Sequence, residues 1–276
     1  MTISPIRLKR VTRLIAKRAD RPRSEAVAMQ TPDDDPHLET VAECDQRNEM
    51  RIAGLIDRLP DIAIALEASN IAALCGLIIC ALSSRRFRRA FMRKLYKFHK
   101  AQPGYQEYAT IYLESIPEGS LATLGVETAI DRLRQRLNRS GFKGSILAGG
   151  VEVAWLYRSR EWLLHIHVLT FGVPKAAWDA LELKLADSGR SDPLRRGPLT
   201  RPKTRISYAL KFVTYYKTGR SGPNGRAEKQ PLWRNQLVEL AEFWSRYRFD
   251  DFVFLYGAKR HGGNIVPKIR PTRARP

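Results

Sequence analysis

Cysteine is scarce in this chain of 276 residues: Cys44, Cys75 and Cys80 are the only three. An odd, sparse set excludes a disulfide-stapled scaffold and points to a reducing, cytoplasmic setting. Cys75 and Cys80 sit five apart in an apolar stretch. A structural zinc site there needs further ligands, and only the distant His37 and His99 offer themselves. Long hydrophobic runs are missing too. The apolar stretch from Ile71 to Leu82 is twelve residues long, and Asp61, Glu67 and Asn70 interrupt its upstream extension, so no membrane span is expected. The opening MTISPIRLKRVTRLIAKR lacks an apolar core of signal-peptide length. It reads as a solvated basic arm, with an Arg-rich transit peptide as the alternative. No GxxxxGK[ST] loop occurs, which excludes a nucleotide-driven helicase domain, and no internal repeat is evident.

Acidic residues are also in deficit. Asp and Glu total 28 against 48 Lys and Arg, a formal charge of +20. Such an excess suggests a polyanionic partner, most commonly nucleic acid. Ribosomal, membrane-surface and DNA-coating proteins share this balance, so charge alone names no activity. Hydrophobic content of 43% is ordinary for a globular protein and leaves room for one substantial domain with extra helices.

Periodicity divides the chain into four parts. Residues 1–48 form a mobile arm, basic and then acidic through TPDDDPHLE. Residues 49–104 read as a helical basic region: Arg51 to Leu59 stops at Pro60, a longer pattern runs to about Leu82, and Arg85 to Lys100 sets Phe87, Phe91, Leu95 and Phe98 at helical spacing. The eight Lys and Arg residues of that last segment make either a solvated face or one that tracks phosphates. Residues 105–256 switch to strand and helix patterns. Tyr108 to Glu114 is a strand, Glu127 to Arg139 a helix, and Ser145 to Tyr157 and Trp162 to Phe171 an antiparallel strand pair with a loose turn. Pro174 to Ser188 follows as a helix, Gly189 to Lys203 as an Arg- and Pro-rich loop, and Thr204 as the cap of a helix through Lys217. A loop (Gly219 to Arg226), a helix (Leu232 to Tyr247) and a strand (Asp251 to Tyr256) complete this part, and residues 257–276 form a basic tail. The fold class is α+β: an antiparallel sheet with helices mainly on one face, plus an N-terminal helical region.

The chemistry concentrates on the strand Trp162 to Phe171. Alternate side chains of a strand share a face. His165 and His167 therefore point one way, and Trp162, Leu164, Ile166 and Val168 the other. Two imidazoles on an oily strand are either a metal clamp or buried polar groups satisfied by hydrogen bonds. Glu152 lies thirteen residues earlier on the partner strand, with small Gly150 and Ala154 on its face. A carboxylate, two imidazoles and open positions suit Mg²⁺ or Mn²⁺. The plainer reading of Glu152 is a paired or solvent-facing carboxylate. Downstream, a helix through Tyr208 would set Tyr208, Lys211 and Tyr215 on one face. Only about one phenol in a thousand is ionised at neutral pH, a handicap of roughly 4 kcal/mol for a nucleophile. An ammonium one turn away offsets part of it. The plainer alternative is a basic amphipathic helix with packing aromatics.

The ordered set resembles the HUH endonucleases, most closely the single-tyrosine rolling-circle replication initiators, over about residues 105 to 217 and more weakly to 256. Their histidine motif looks like LHIHVL at His165 and His167, and their nucleophile motif like YALK at Tyr208 and Lys211. Glu152 matches their acidic ligand on the preceding strand, and ATIYLES, Ala109 to Ser115, stands at their first motif. Phe212 occupies the place of a second tyrosine, which implies one nucleophile with Tyr215 in reserve; Leu164 and Ile166 stand where the family often has proline. The resemblance implies Mg²⁺ or Mn²⁺ held by His165, His167 and Glu152 and polarising a scissile phosphate. Tyr208 would attack phosphorus, release a 3′-hydroxyl and leave a 5′-phosphotyrosyl link. It further implies single-stranded DNA at a replication origin as partner, a host helicase to unwind it, and no membrane. Basic segments 85–100, 189–203 and 257–276 would hold flanking DNA, with Trp and Tyr stacking on bases. Relaxases and transposases use the same chemistry. The alternative from another class is a non-catalytic basic DNA-binding protein with structural histidines.

Overall fold

The structure, a computed structural model, describes residues 38–69, 75–186, 192–221 and 227–268. The expectations for most of the N-terminal arm, for the centre of the apolar stretch at 70–74, for parts of the two loops and for the end of the tail lie outside the described residues. In chain order the helices are α1 (Val41–Leu55), α2 (Pro60–Glu67), α3 (Ala81–Ala101), α4 (Val126–Arg139), α5 (Lys175–Ala186), α6 (Pro202–Ser207) and α7 (Arg234–Ser245). The strands are β1 (Gln106–Pro117), β2 (Ile146–Leu156), β3 (Glu161–Phe171), β4 (Leu194–Pro198), β5 (Tyr215–Ser221), β6 (Ala227–Pro231), β7 (Val253–Tyr256), β8 (Ala258–His261) and β9 (Asn264–Pro267). The chain is α+β, as expected, and forms two compact units. One takes the described residues up to Arg89 together with Thr214–Phe249; the other takes Ala90–Val213 and the chain from Asp250 onward.

The second unit is built on a five-stranded antiparallel sheet in the order β4-β1-β3-β2-β7. Its strands alternate as their sequences require. Ala109, Ile111, Val151, Val153, Leu164, Ile166 and Val168 are buried along one face. Against that face lies α4, whose Ala129, Ile130, Leu133 and Leu137 recur at helical spacing and are buried. Its last turn carries Arg136 and Arg139, which complement the negative end of the helix dipole. The α5 helix contributes Trp178, packed edge-on to Phe142 at 4.9 Å, with its indole N–H donating to Glu107 on β1 at 2.9 Å. Burying each such side chain stabilises the unit by about 2 kcal/mol. The other face of the sheet carries Tyr108, Thr110, Tyr112, Gly150, Glu152, His165 and His167. At the end of this face Phe98 of α3 meets Phe171 edge-on at 5.3 Å.

The first unit holds α1, α2, the start of α3, the β5–β6 hairpin and α7. Thr40 and Glu43 form a capping box, which starts α1 at Val41, ten residues before the expected Arg51. Gly54 allows α1 to press on α7: a Cβ there would lie 2.8 Å from Leu237 Cδ2.

Several further expectations differ from the fold. The helical pattern expected from Pro60 to about Leu82 stops with α2 at Glu67, residues 75–80 are not helical, and α3 begins only at Ala81, so Cys75 and Cys80 are not in a helix. The helix expected from Thr204 through Lys217 is only α6, and Tyr208 is its C-cap. After the β-branched Val213 and Thr214, the aromatic pair Tyr215-Tyr216 opens β5 instead and pairs with β6. The Arg- and Pro-rich loop contains β4, an edge strand on β1 whose arginines and terminal proline guard the open edge. The basic tail begins with a hairpin, β8–β9, turning at Gly262 and Gly263, both at positive φ.

Candidate metal centre

The register of three neighbouring strands assembles the centre. On β2, Glu152 stands opposite His165 and Gly150 opposite His167. On β1, Tyr112 stands opposite His165 and Thr110 opposite His167, and a β-bulge follows Tyr112. The Nε2 atoms of His165 and His167 are 3.2 Å apart. Glu152 Oε2 lies 3.9 Å from the first and 3.5 Å from the second. The circle through these three atoms has a radius of about 2.1 Å, the bond length of divalent cations to nitrogen and oxygen. The three side chains fit one such ion. Among the described residues this is the one group of three or more metal-capable side chains.

Outer hydrogen bonds orient the imidazoles. Tyr108 Oη and Thr110 Oγ1 lie 2.7 and 2.9 Å from His167 Nδ1, and the Leu163 carbonyl 3.4 Å from His165 Nδ1. With an ion bound, a proton on each Nδ1 would let the rings donate to these oxygens and leave both Nε2 lone pairs for the metal; without one, an Nε2–H of His167 donates to Glu152. Burial pushes the Glu152 carboxyl up, but the hydrogen bond with His167 and the charges of His165, His167 and Lys211 outweigh it and hold the group below the usual carboxylate range. It is an anion facing two imidazoles. Burial raises the Tyr108 phenol, so that this side chain is a neutral hydrogen-bonding partner.

The Tyr208 turn reaches the same face through a glycine. Ala209 and Leu210 are buried over β2 at Gly150, where a Cβ would lie 2.2 Å from the Ala209 carbonyl oxygen and 2.3 Å from Leu210 Cδ1. Tyr208 itself is 44% exposed. Lys211 Nζ sits 3.4 Å from the centre of its ring, and the Lys211 charge acts on Glu152. The Tyr208 phenol acts electrostatically on that of Tyr108. Arg205, one turn earlier, places its guanidinium 5.0 Å over the Tyr108 ring.

The structure thus brings together Glu152, His165 and His167 and sets Tyr208 and Lys211 on a turn beside them. The expected helical face of Tyr208, Lys211 and Tyr215 does not form. Tyr215 opens β5 in the other unit, with Lys229 Nζ 4.7 Å over its ring, and Tyr216 is buried against Trp233. Phe212 packs edge-on to Phe252 at 5.5 Å. Sequence reasoning missed Tyr108, Thr110 and Arg205. The first two alternate with Tyr112 along β1, and that period of two was their available signal. Nothing in the local sequence of Arg205 distinguishes it from its basic neighbours.

No family model, curated protein or solved structure matches this chain. No described helix is long and apolar enough to cross a membrane.

Proposed function

We propose that this protein is a metal-dependent endonuclease that nicks and rejoins single-stranded DNA, with Tyr208 as its nucleophile, and that it starts rolling-circle replication of a plasmid or phage. The observation that carries the reading is the three-donor circle of Glu152, His165 and His167, next to a turn that presents a phenol and an ammonium. Mg²⁺ or Mn²⁺, when bound by those three residues, supplies charge neutralisation on the scissile phosphate.

Every other step belongs to the chain. Tyr108 and Thr110 hold the His167 ring. Lys211, its Nζ 3.4 Å over the Tyr208 ring, sets a cation beside the nucleophile. Tyr208 Oη forms a bond to phosphorus as the bond from phosphorus to the 3′-oxygen breaks. The phenol loses its proton, the 3′-oxygen gains one, and the 5′ end stays on Tyr208 as a phosphodiester. One phosphodiester replaces another, so reversal rejoins the strand. Arg205 and Lys211 give flanking phosphates a cationic rim. An unpaired strand is the fitting substrate, since a duplex cannot lay one phosphate on a recessed sheet face. A partner helicase then opens the origin.

Incubation with a labelled random single-stranded DNA pool and Mn²⁺ tests this. The expected result is a protein–DNA band that survives denaturation and vanishes in Tyr208→Phe. A band that persists in Tyr208→Phe, or DNA retention without any adduct in the presence of Mg²⁺ or Mn²⁺, overturns the reading. The second outcome leaves a non-catalytic DNA-binding protein.

A further inference from the structure

The three cysteines have different surroundings, all within the first unit. Cys44 is buried in α1, and burial together with the Glu39 charge pushes its thiol up to about 12. It packs as a small hydrophobe. Cys80 immediately precedes α3 and is fully buried, yet its sulfur is ringed by polar groups. Ser69 Oγ lies 3.2 Å away, the Ser83 backbone N–H donates at 3.5 Å, and Asn48 Nδ2 donates at 3.7 Å. Half-buried Cys75 lies against the same ring: its sulfur is 3.8 Å from Ser83 Oγ, and its backbone N–H donates to Ser69 Oγ at 3.3 Å. The neighbouring Cys75 thiol, with the Ser69 and Ser83 groups, draws the Cys80 thiol below the ordinary range, and Cys80 together with burial pushes the Cys75 thiol above it.

A buried cation completes the cluster. Arg51 of α1 is 4% exposed. It donates to the Ile79 carbonyl and, at 2.9 Å, to Thr214 Oγ1, while its Nε has no hydrogen-bond partner. Among the described residues no carboxylate forms an ion pair with it. A buried guanidinium calls for an anion nearby, and the Cys80 sulfur is among the groups that favour its charge. No third metal-capable side chain joins the two cysteines among the described residues.

We propose that Cys75 and Cys80 are an oxidisable dithiol, a modification site at which hydrogen peroxide forms a reversible disulfide. The Cys80 thiolate attacks one peroxide oxygen; a sulfur–oxygen bond forms, the oxygen–oxygen bond breaks, and the departing hydroxide takes a proton to become water. The Cys75 sulfur then attacks the sulfenic sulfur of Cys80. The sulfur–sulfur bond forms, and the hydroxyl leaves as a second water with the Cys75 proton. Two electrons pass from the two sulfurs to the peroxide, and a dithiol reductant reverses the change.

The test treats the reduced, folded full chain with hydrogen peroxide, stops it with catalase, then denatures, alkylates and digests it for mass spectrometry. The peptide carrying Cys75 and Cys80 is expected unalkylated and lighter by two hydrogens, recoverable with dithiothreitol, while Cys44 alkylates fully. Cys75→Ser is expected to stop at a Cys80 sulfenic acid captured by dimedone. Ser83→Ala, which keeps both sulfurs and removes only a hydroxyl, is expected to change the oxidation rate several-fold, and serves if Cys75→Ser does not fold. Full alkylation of Cys75 and Cys80 after peroxide overturns the proposal, as does oxidation of Cys44 at the same rate or a disulfide that forms only in urea. The outcome is independent of the Tyr208 adduct, because no residue of the metal centre lies in this unit.

Discussion

Single side chains decide how the candidate metal centre is oriented. Tyr108 and Thr110 share His167 Nδ1, so neither alone carries its orientation. Tyr108→Phe is expected to weaken Mn²⁺ binding about tenfold and to leave the fold intact, whereas Tyr108→Phe with Thr110→Val approaches a hundredfold. Titration calorimetry with Mn²⁺ measures both; wild-type affinity in the double variant removes the hydroxyls from the centre. Glu39, in the other unit, governs an acid-sensitive contact. Its burial raises the carboxyl, but the Arg88 charge, a backbone hydrogen bond and Arg47 prevail and lower it to about 2. A carboxyl depressed on folding stabilises the native state above its unfolded value near 4.5, and that stability is lost as pH falls toward 2. Glu39→Gln should therefore lower stability by a few kcal/mol at pH 7 and have little effect near pH 2, as urea denaturation at the two values reads out.

At the scale of elements, the hairpin of β2 and β3 was the most legible part of the chain. Period-two alternation over Trp162 to Phe171 and over Gly150 to Ala154 fixes which face each strand buries, and the register observed sets Glu152 across from His165. The α6 region was not legible. The Tyr-x-x-Lys spacing suits a helix, yet Tyr208 ends one, and Tyr215 and Tyr216 pair with Pro231 and Gln230 of β6 instead. Spacing along the chain identified Tyr208 and Lys211; the close approach at Gly150 is what sets them beside the sheet. Gly150→Ala must displace the Ala209 carbonyl, and with it Tyr208. Its expected result is a loss of adduct formation of at least tenfold, with Mn²⁺ affinity nearly unchanged and stability lower by about 1–3 kcal/mol. Equal losses of metal and adduct would show that the turn and the centre are not separable in this way.

For the whole molecule the governing quantity is charge. With a formal +20, binding of a single strand, as proposed, would be a counterion-release reaction. If the chain neutralises about six phosphates, its affinity for single-stranded DNA falls roughly several hundred-fold between 50 and 200 mM salt. Tyr208→Phe should follow the same salt curve, because it removes the proposed nucleophile and leaves the cations. A filter-binding series compares the two; a flat curve in either protein would mean that phosphate contacts are few.

Local sequence was sufficient for the class of fold, the strands that carry His165, His167 and Glu152, and the sign of the surface charge. These follow from alternation and composition, which act over a few residues or by simple addition. Tertiary structure alone decided that β4 joins the sheet as an edge strand on β1 and that Tyr108 and Thr110 hold an imidazole. It likewise sent Tyr215 to a different unit from Tyr208, and it gathered Cys75, Cys80 and Arg51. Such outcomes depend on pairings between distant segments. Their free energy comes from burial and hydrogen bonds that no short window of sequence contains.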